Sequence, residues 1–130
     1  NFAKIIDHNQ LFVRTFERGV GFTNACGTGM SATTLAFALT HPDMADFDQP
    51  ITVYNPGGMV KTIVHNDDDQ YWIELIGNAT VTEQIDVSEQ TLHKANVTDS
   101  NVSVHQTNEQ AAYDEFVNNL PKPVQIDVLQ

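Results

Sequence analysis

The chain has 130 residues, of which 6 are Lys or Arg and 17 are Asp or Glu, for a formal net charge of −11. That length suits one domain with a modest core, and no apolar run reaches the ~18 to 20 residues of a membrane span. An acidic surface repels nucleic acid and anionic membranes, so neither is an expected partner.

The charge is uneven: residues 1–66 carry a net −1 and residues 67–130 a net −10. Most acidic stretches of this kind are solvated faces that keep a chain soluble. One cysteine cannot close an internal disulfide, which places the chain in the cytoplasm. The N-x-S/T triplets at Asn78, Asn96 and Asn101 are then chance matches. The first residue is Asn1 rather than Met, so the chain is expected to begin inside a longer gene product or to have lost its beginning.

Residues 2–6 and 11–16 read as strands joined by the turn Asp7 to Gln10. In the second run Leu11, Val13 and Thr15 share one face, and Phe12, Arg14 and Phe16 the other. Four glycines between positions 19 and 29 mark a loop of unusual backbone angles or close ligand approach. Gly27 to Thr40 reads as a helix, apolar on every side around Leu35 to Leu39, which strands must wrap. His41-Pro42 ends it.

Ile51–Tyr54, Met59–Asn66 and Gln70–Leu75 alternate like strands, with turns at Asn55-Pro56-Gly57-Gly58 and Asp67-Asp68-Asp69. Residues 78–85 read as one more strand. The first 86 residues therefore form an α+β domain, an antiparallel sheet wrapped around one buried central helix. Residues 87–130 read as an acidic extension, weakly patterned to residue 110. Thr107-x-x-Gln110 can cap a short helix at about 108–120, with Tyr113, Phe116, Val117 and Leu120 at helical spacing and Pro121 and Pro123 as its stop.

Chemistry concentrates at the chain's only cysteine, Cys26, at the start of the predicted helix. The first amides of a helix lack intrahelical partners, and the dipole adds partial positive charge there. Such a place suits a thiolate, the reactive form of cysteine, and equally a substrate carboxylate. Gly27 and Gly29 present no side chain to an approaching ligand, and Thr28 adds a hydroxyl. A lone free cysteine is most often a small buried hydrophobe; the flanking glycines and the helix start weigh against that here. Glu17-Arg18-Gly19 lies just upstream. As a surface pair it carries little energetic weight, but with the anion seat it suits a zwitterionic amino acid, Glu17 taking an ammonium and Arg18 a carboxylate.

These residues resemble a known family. Val13-Arg14-Thr15-Phe16-Glu17-Arg18-Gly19, then Gly21, Thr23 and Ala25-Cys26-Gly27-Thr28-Gly29, resemble the second catalytic motif of the diaminopimelate epimerases. Pro56-Gly57-Gly58 is similar to the family's later P-G-G turn, and Gly77-Asn78-Ala79 stands where the family has G-P-A. The resemblance covers about residues 1–86.

It implies a half of a two-domain enzyme that needs no pyridoxal phosphate, other cofactor or metal. LL-2,6-diaminopimelate becomes meso-diaminopimelate, for lysine and peptidoglycan, through two cysteines on opposite faces of the α-carbon. By this resemblance Cys26 is one acid/base thiol. Glu17 contacts the α-ammonium and tunes the thiol, Arg18 holds the distal carboxylate, and the amides of Gly27 and Thr28 hold the α-carboxylate. Residues 1–86 would be the C-terminal catalytic half-domain. Its partners would be the N-terminal half of the same enzyme and a second copy in a homodimer.

Three departures stand out. The second cysteine is absent, as is the first motif, N-x-x-x-x-C-G-N-G, and the tail from residue 87 exceeds the family's usual end. An asparagine in a T-N-V-N-F context is expected just before Asn1. The chain alone is expected to be inactive. Two alternatives remain: a proline racemase-like half, which carries C-G-T-G without Glu-Arg-Gly, and a non-catalytic binding or thiol-redox module.

Overall fold

A computed structural model describes residues 1–68 and 70–120. They divide into two compact units, the first with Asn1–Asn78 and residues 119–120, the second Ala79–Asn118.

The first unit begins with the hairpin β1 (Phe2–Asp7) and β2 (Gln10–Glu17). Its turn holds Asn9 at φ 54°, a left-handed angle that asparagine tolerates better than most residues. Asn9 also ties the turn to the loop after the helix. Its Nδ2 donates to Asp46 Oδ2 at 2.9 Å, and its Oδ1 accepts from the Asp46 N–H at 2.9 Å. β3 (Gly21–Thr23) returns along β2, through a turn with Gly19 at φ 78°. Then come helix α1 (Gly27–Thr40) and strands β4 (Pro50–Asn55), β5 (Gly58–Asp67) and β6 (Gln70–Ile76). The sheet runs β1-β2-β4-β5-β6, with β3 on β2.

The core gathers Leu11 and Val13 of β2, Met30, Phe37 and Ala38 of α1, Ile51 and Val53 of β4, and Val64 of β5. The expected division of β2 holds: Leu11, Val13 and Thr15 are buried. On the opposite face Arg14 lies over the Phe22 ring at 4.3 Å, and Phe16 meets Phe22 edge-on at 5.3 Å.

Several hydroxyls of α1 turn back onto the helix: Ser31, Thr33, Thr34 and Thr40 each donate to the carbonyl four residues earlier. Thr34 and Thr62 are both fully buried. Thr62 donates to Thr34 at 2.9 Å, and Thr34 donates to the Met30 carbonyl at 2.9 Å, so neither hydroxyl is left without a partner in the core. At its end His41 N–H reaches the Phe37 carbonyl, and Pro42 follows.

The α+β class is as expected, with two corrections. The sheet is mixed, because β2 and β4 pair in parallel while the other strands pair antiparallel. The helix is not enclosed: Met30, Thr34, Phe37 and Ala38 face the sheet, while Ala32, Ala36 and Leu39 are exposed. Apolar residues on all sides of a helix describe what it can bury, and these strands cover one side.

The second unit corrects the expected strand over 78–85. The strand is β7 (Glu83–Val87), and it pairs with β8 (Val102–Gln106) in a separate two-stranded sheet. Between them lies the short helix α2 (Glu89–His93), capped by Ser88 Oγ, which accepts from the Thr91 N–H. The weakly patterned stretch is therefore a built hairpin. Helix α3 (Glu109–Asn118) lies inside the predicted 108–120. Thr107 does not act as the predicted cap; its hydroxyl is donated to the carbonyls of Val81 and Thr82. Asp69 of the expected turn, and Pro121 and Pro123 with the tail after them, lie outside the described residues. Among the described residues no helix is long and apolar enough to cross a membrane.

Candidate active site

Cys26 is the N-cap of α1. Its backbone is extended (φ −148°, ψ 104°), and its carbonyl accepts the first helical bond, from Met30 N–H at 2.9 Å. The thiol performs the work that a Ser or Asp oxygen does at other helix starts: Sγ accepts from the Gly29 N–H at 3.4 Å. Thr28 Oγ1 lies 3.5 Å from Sγ. Cys26 is partly exposed, so it is neither a deep core residue nor a free surface thiol.

Gly27 and Thr28 are the first two residues of the helix, where no carbonyl of the preceding turn is available. Among the described residues no partner is found for either amide. Glu17 ends β2 and is partly buried; the Thr23 hydroxyl donates to its Oε1 at 3.2 Å. The β2–β3 pairing sets Glu17 opposite Gly21 and Thr15 opposite Thr23, and Thr23 lies three residues before Cys26. One hairpin thus delivers the carboxylate and leads directly into the thiol. Arg18 is exposed at the hairpin turn. Every ion pair found among the described residues involves a histidine, so Glu17 and Arg18 are not paired with each other. Neither makes a direct hydrogen bond to Cys26.

The glycines act differently from the open approach expected of them. A Cβ on Gly29 would lie 2.7 Å from Asn1 Oδ1 and 3.2 Å from both Cys26 Sγ and Thr15 Oγ1. Gly29 is thus the floor on which the sulfur sits. A Cβ on Gly27 would lie 2.9 Å from Leu75 Cδ2 of β6. Asn1, Thr15, Asn24, Asn55 and Leu75 border the site without having been singled out from sequence. Thr15 donates to Asn1 Oδ1 at 2.8 Å. The Pro56-Gly57-Gly58 turn reaches the site through its backbone: Gly57 N–H donates to the Asn24 carbonyl at 3.0 Å, two residues before the thiol. Among the described residues no group of three His, Cys, Asp or Glu side chains is arranged to hold a metal.

The diaminopimelate epimerase family model matches residues 1–82, which contain every residue of this site. The chain belongs to the diaminopimelate epimerase family. A diaminopimelate epimerase of Lactiplantibacillus plantarum is 50% identical over 123 residues, 94% of this chain and 36% of that protein. Another, from Ligilactobacillus salivarius, is 49% identical over 118 residues, 90% of this chain and 36% of that protein. A diaminopimelate epimerase of Clostridium acetobutylicum is 46% identical over 81 residues, 62% of this chain and 24% of that protein. The chain therefore spans about a third of the length of the two lactobacillus relatives. Residues beyond 82 lie outside the epimerase family model, but matches of 123 and 118 residues in a chain of 130 extend well past that point.

Proposed function

We propose that this chain is the C-terminal catalytic half of a cofactor-independent diaminopimelate epimerase, with residues 1–86 as the half-domain and 87–130 as an extension. It supplies one of two thiols that invert the α-carbon of LL-2,6-diaminopimelate to the meso form. The observation that carries this reading is the seat of Cys26: a partly exposed N-cap thiol, 3.4 Å from the Gly29 N–H, inside the Glu-Arg-Gly to Cys-Gly-Thr-Gly stretch.

In this reading the α-carboxylate takes the free amides of Gly27 and Thr28, Glu17 takes the α-ammonium, and Arg18 takes the distal carboxylate. The Cys26 thiolate removes the α-proton; the C–H electron pair stays on carbon, stabilised by the amide-bound carboxylate. A thiol from the N-terminal half then delivers a proton to the opposite face. For the reverse direction the two thiols exchange roles. Inversion needs a group on each face, so this chain alone does not epimerise. The parent enzyme is a cytoplasmic homodimer in this reading.

Proton NMR of LL-diaminopimelate in deuterated water tests it, with the full-length parent protein as wild type and as Cys26→Ser. Exchange with inversion in wild type, and loss of inversion in the variant, is the expected result. Wild type that exchanges proline but not diaminopimelate overturns the substrate. Turnover by the purified 130-residue chain overturns the two-thiol mechanism.

A further inference from the structure

Asn55 is the last residue of β4 and is 5% exposed. A buried carboxamide costs free energy unless its groups are hydrogen-bonded, and here its two ends reach two different segments. Oδ1 accepts from the Gly57 N–H at 2.9 Å, which closes the turn between β4 and β5. Nδ2 donates to Met30 Sδ at 3.2 Å, in the first turn of α1. Both segments flank the thiol. Gly57 N–H also reaches the Asn24 carbonyl on the entering side, and Met30 N–H reaches the Cys26 carbonyl on the helical side. A turn residue needs only the first contact; the bond to the helix is additional.

We infer that Asn55 is a positioning residue for Cys26, its carboxamide clamping the turn at 56–58 to the first turn of α1. The inference rests on the reading of Cys26 as an acid/base thiol. Gly57 is the complementary part of the clamp. A Cβ there would lie 3.1 Å from both the Cβ and the carbonyl oxygen of Asn24. That carbonyl is backbone, so relief of the contact moves the segment that carries Cys26. Proton transfer depends on hydrogen-bond reach, and so on the exact seat of the sulfur.

The test uses the full-length parent protein and two variants at this position. Asn55→Ser keeps an oxygen that can close the turn but does not reach Met30; Asn55→Leu removes both contacts. Exchange kinetics give kcat and KM, and mass spectrometry of the Cys26 peptide gives its rate of alkylation by iodoacetamide. A purely structural turn residue predicts that Ser restores everything. The clamp predicts that Asn55→Ser folds normally but lowers kcat about tenfold or more, with KM within about twofold. The same variant shifts the alkylation rate by about threefold or more. A folded Asn55→Ser protein with wild-type kcat and alkylation rate overturns the inference. If both Asn55 variants fail to fold, Gly57→Ala is judged by the same two readouts. Should wild type exchange no α-proton, the epimerase reading fails, and the alkylation rate still decides the role of Asn55.

Discussion

Replacing Gly29 by Ala separates the stability of the helix start from the seat of the thiol. Two stability terms oppose each other. Alanine is favoured over glycine by up to about 1 kcal/mol inside a helix, and by less in the first turn. Against this, the new Cβ would lie 2.7 Å from Asn1 Oδ1. Asn1 must swing away and give up its bond from Thr15, at a cost of about 0.5–1.5 kcal/mol. The two nearly cancel, so the melting temperature should move by less than about 5 °C. The sulfur has no such compensation. At 3.2 Å from the new methyl it must retreat by a few tenths of an ångström, which loosens a Gly29 N–H contact already 3.4 Å long. A misplacement on the order of 1 Å costs about 100-fold in rate, so a shift of this size should cost about tenfold in kcat. The assay is α-proton exchange in deuterated water, paired with the alkylation rate of Cys26 in the same full-length protein. A folded variant with wild-type values for both would refute the account of Gly29 as the floor beneath the sulfur.

Other outcomes follow from particular contacts. Arg18→Lys keeps the charge but loses the two-pronged grip; on the proposed reading KM for diaminopimelate rises about tenfold or more, with a smaller change in kcat. Thr34→Val removes the acceptor of Thr62 and leaves that buried hydroxyl only the Ile51 carbonyl at 3.4 Å. It should cost about 1–2 kcal/mol by urea unfolding, whereas Thr62→Val leaves the bond from Thr34 to Met30 intact and should cost less than about 1 kcal/mol. Equal costs would argue against the direction assigned to the relay. Phe37→Ala, in the buried face of α1, should cost about 3–5 kcal/mol in the same experiment.

Much of the fold was legible along the chain because its signals are local. Alternation in β2 places Leu11, Val13 and Thr15 together whatever lies opposite, since successive side chains of a strand point to opposite faces. The start of α1 at Gly27 and its end before His41-Pro42 depend on capping and on proline, which act within a few residues. Cys26 was legible as a candidate for the same reason. The illegible parts depend on residues distant in sequence. The parallel pairing of β2 with β4 joins segments about forty residues apart and has no short-range signature. Residues 78–85 carry strand propensity, but whether a strand joins the large sheet or a small hairpin depends on its pairing partner, and β8 lies in a stretch with little pattern of its own.

The sequence by itself determined the thiol, the helix that starts beside it, and the carboxylate and guanidinium ahead of it, because capping, turn and strand preferences act over a few bonds. The surroundings of that thiol were decided only by the tertiary structure. Gly29 pressed between Sγ, Asn1 and Thr15, Leu75 against Gly27, and the reach of Asn55 from the end of β4 to Met30 are contacts between segments that only packing brings together. Short-range preferences choose the elements, and close packing of the core chooses which side chains face the sulfur.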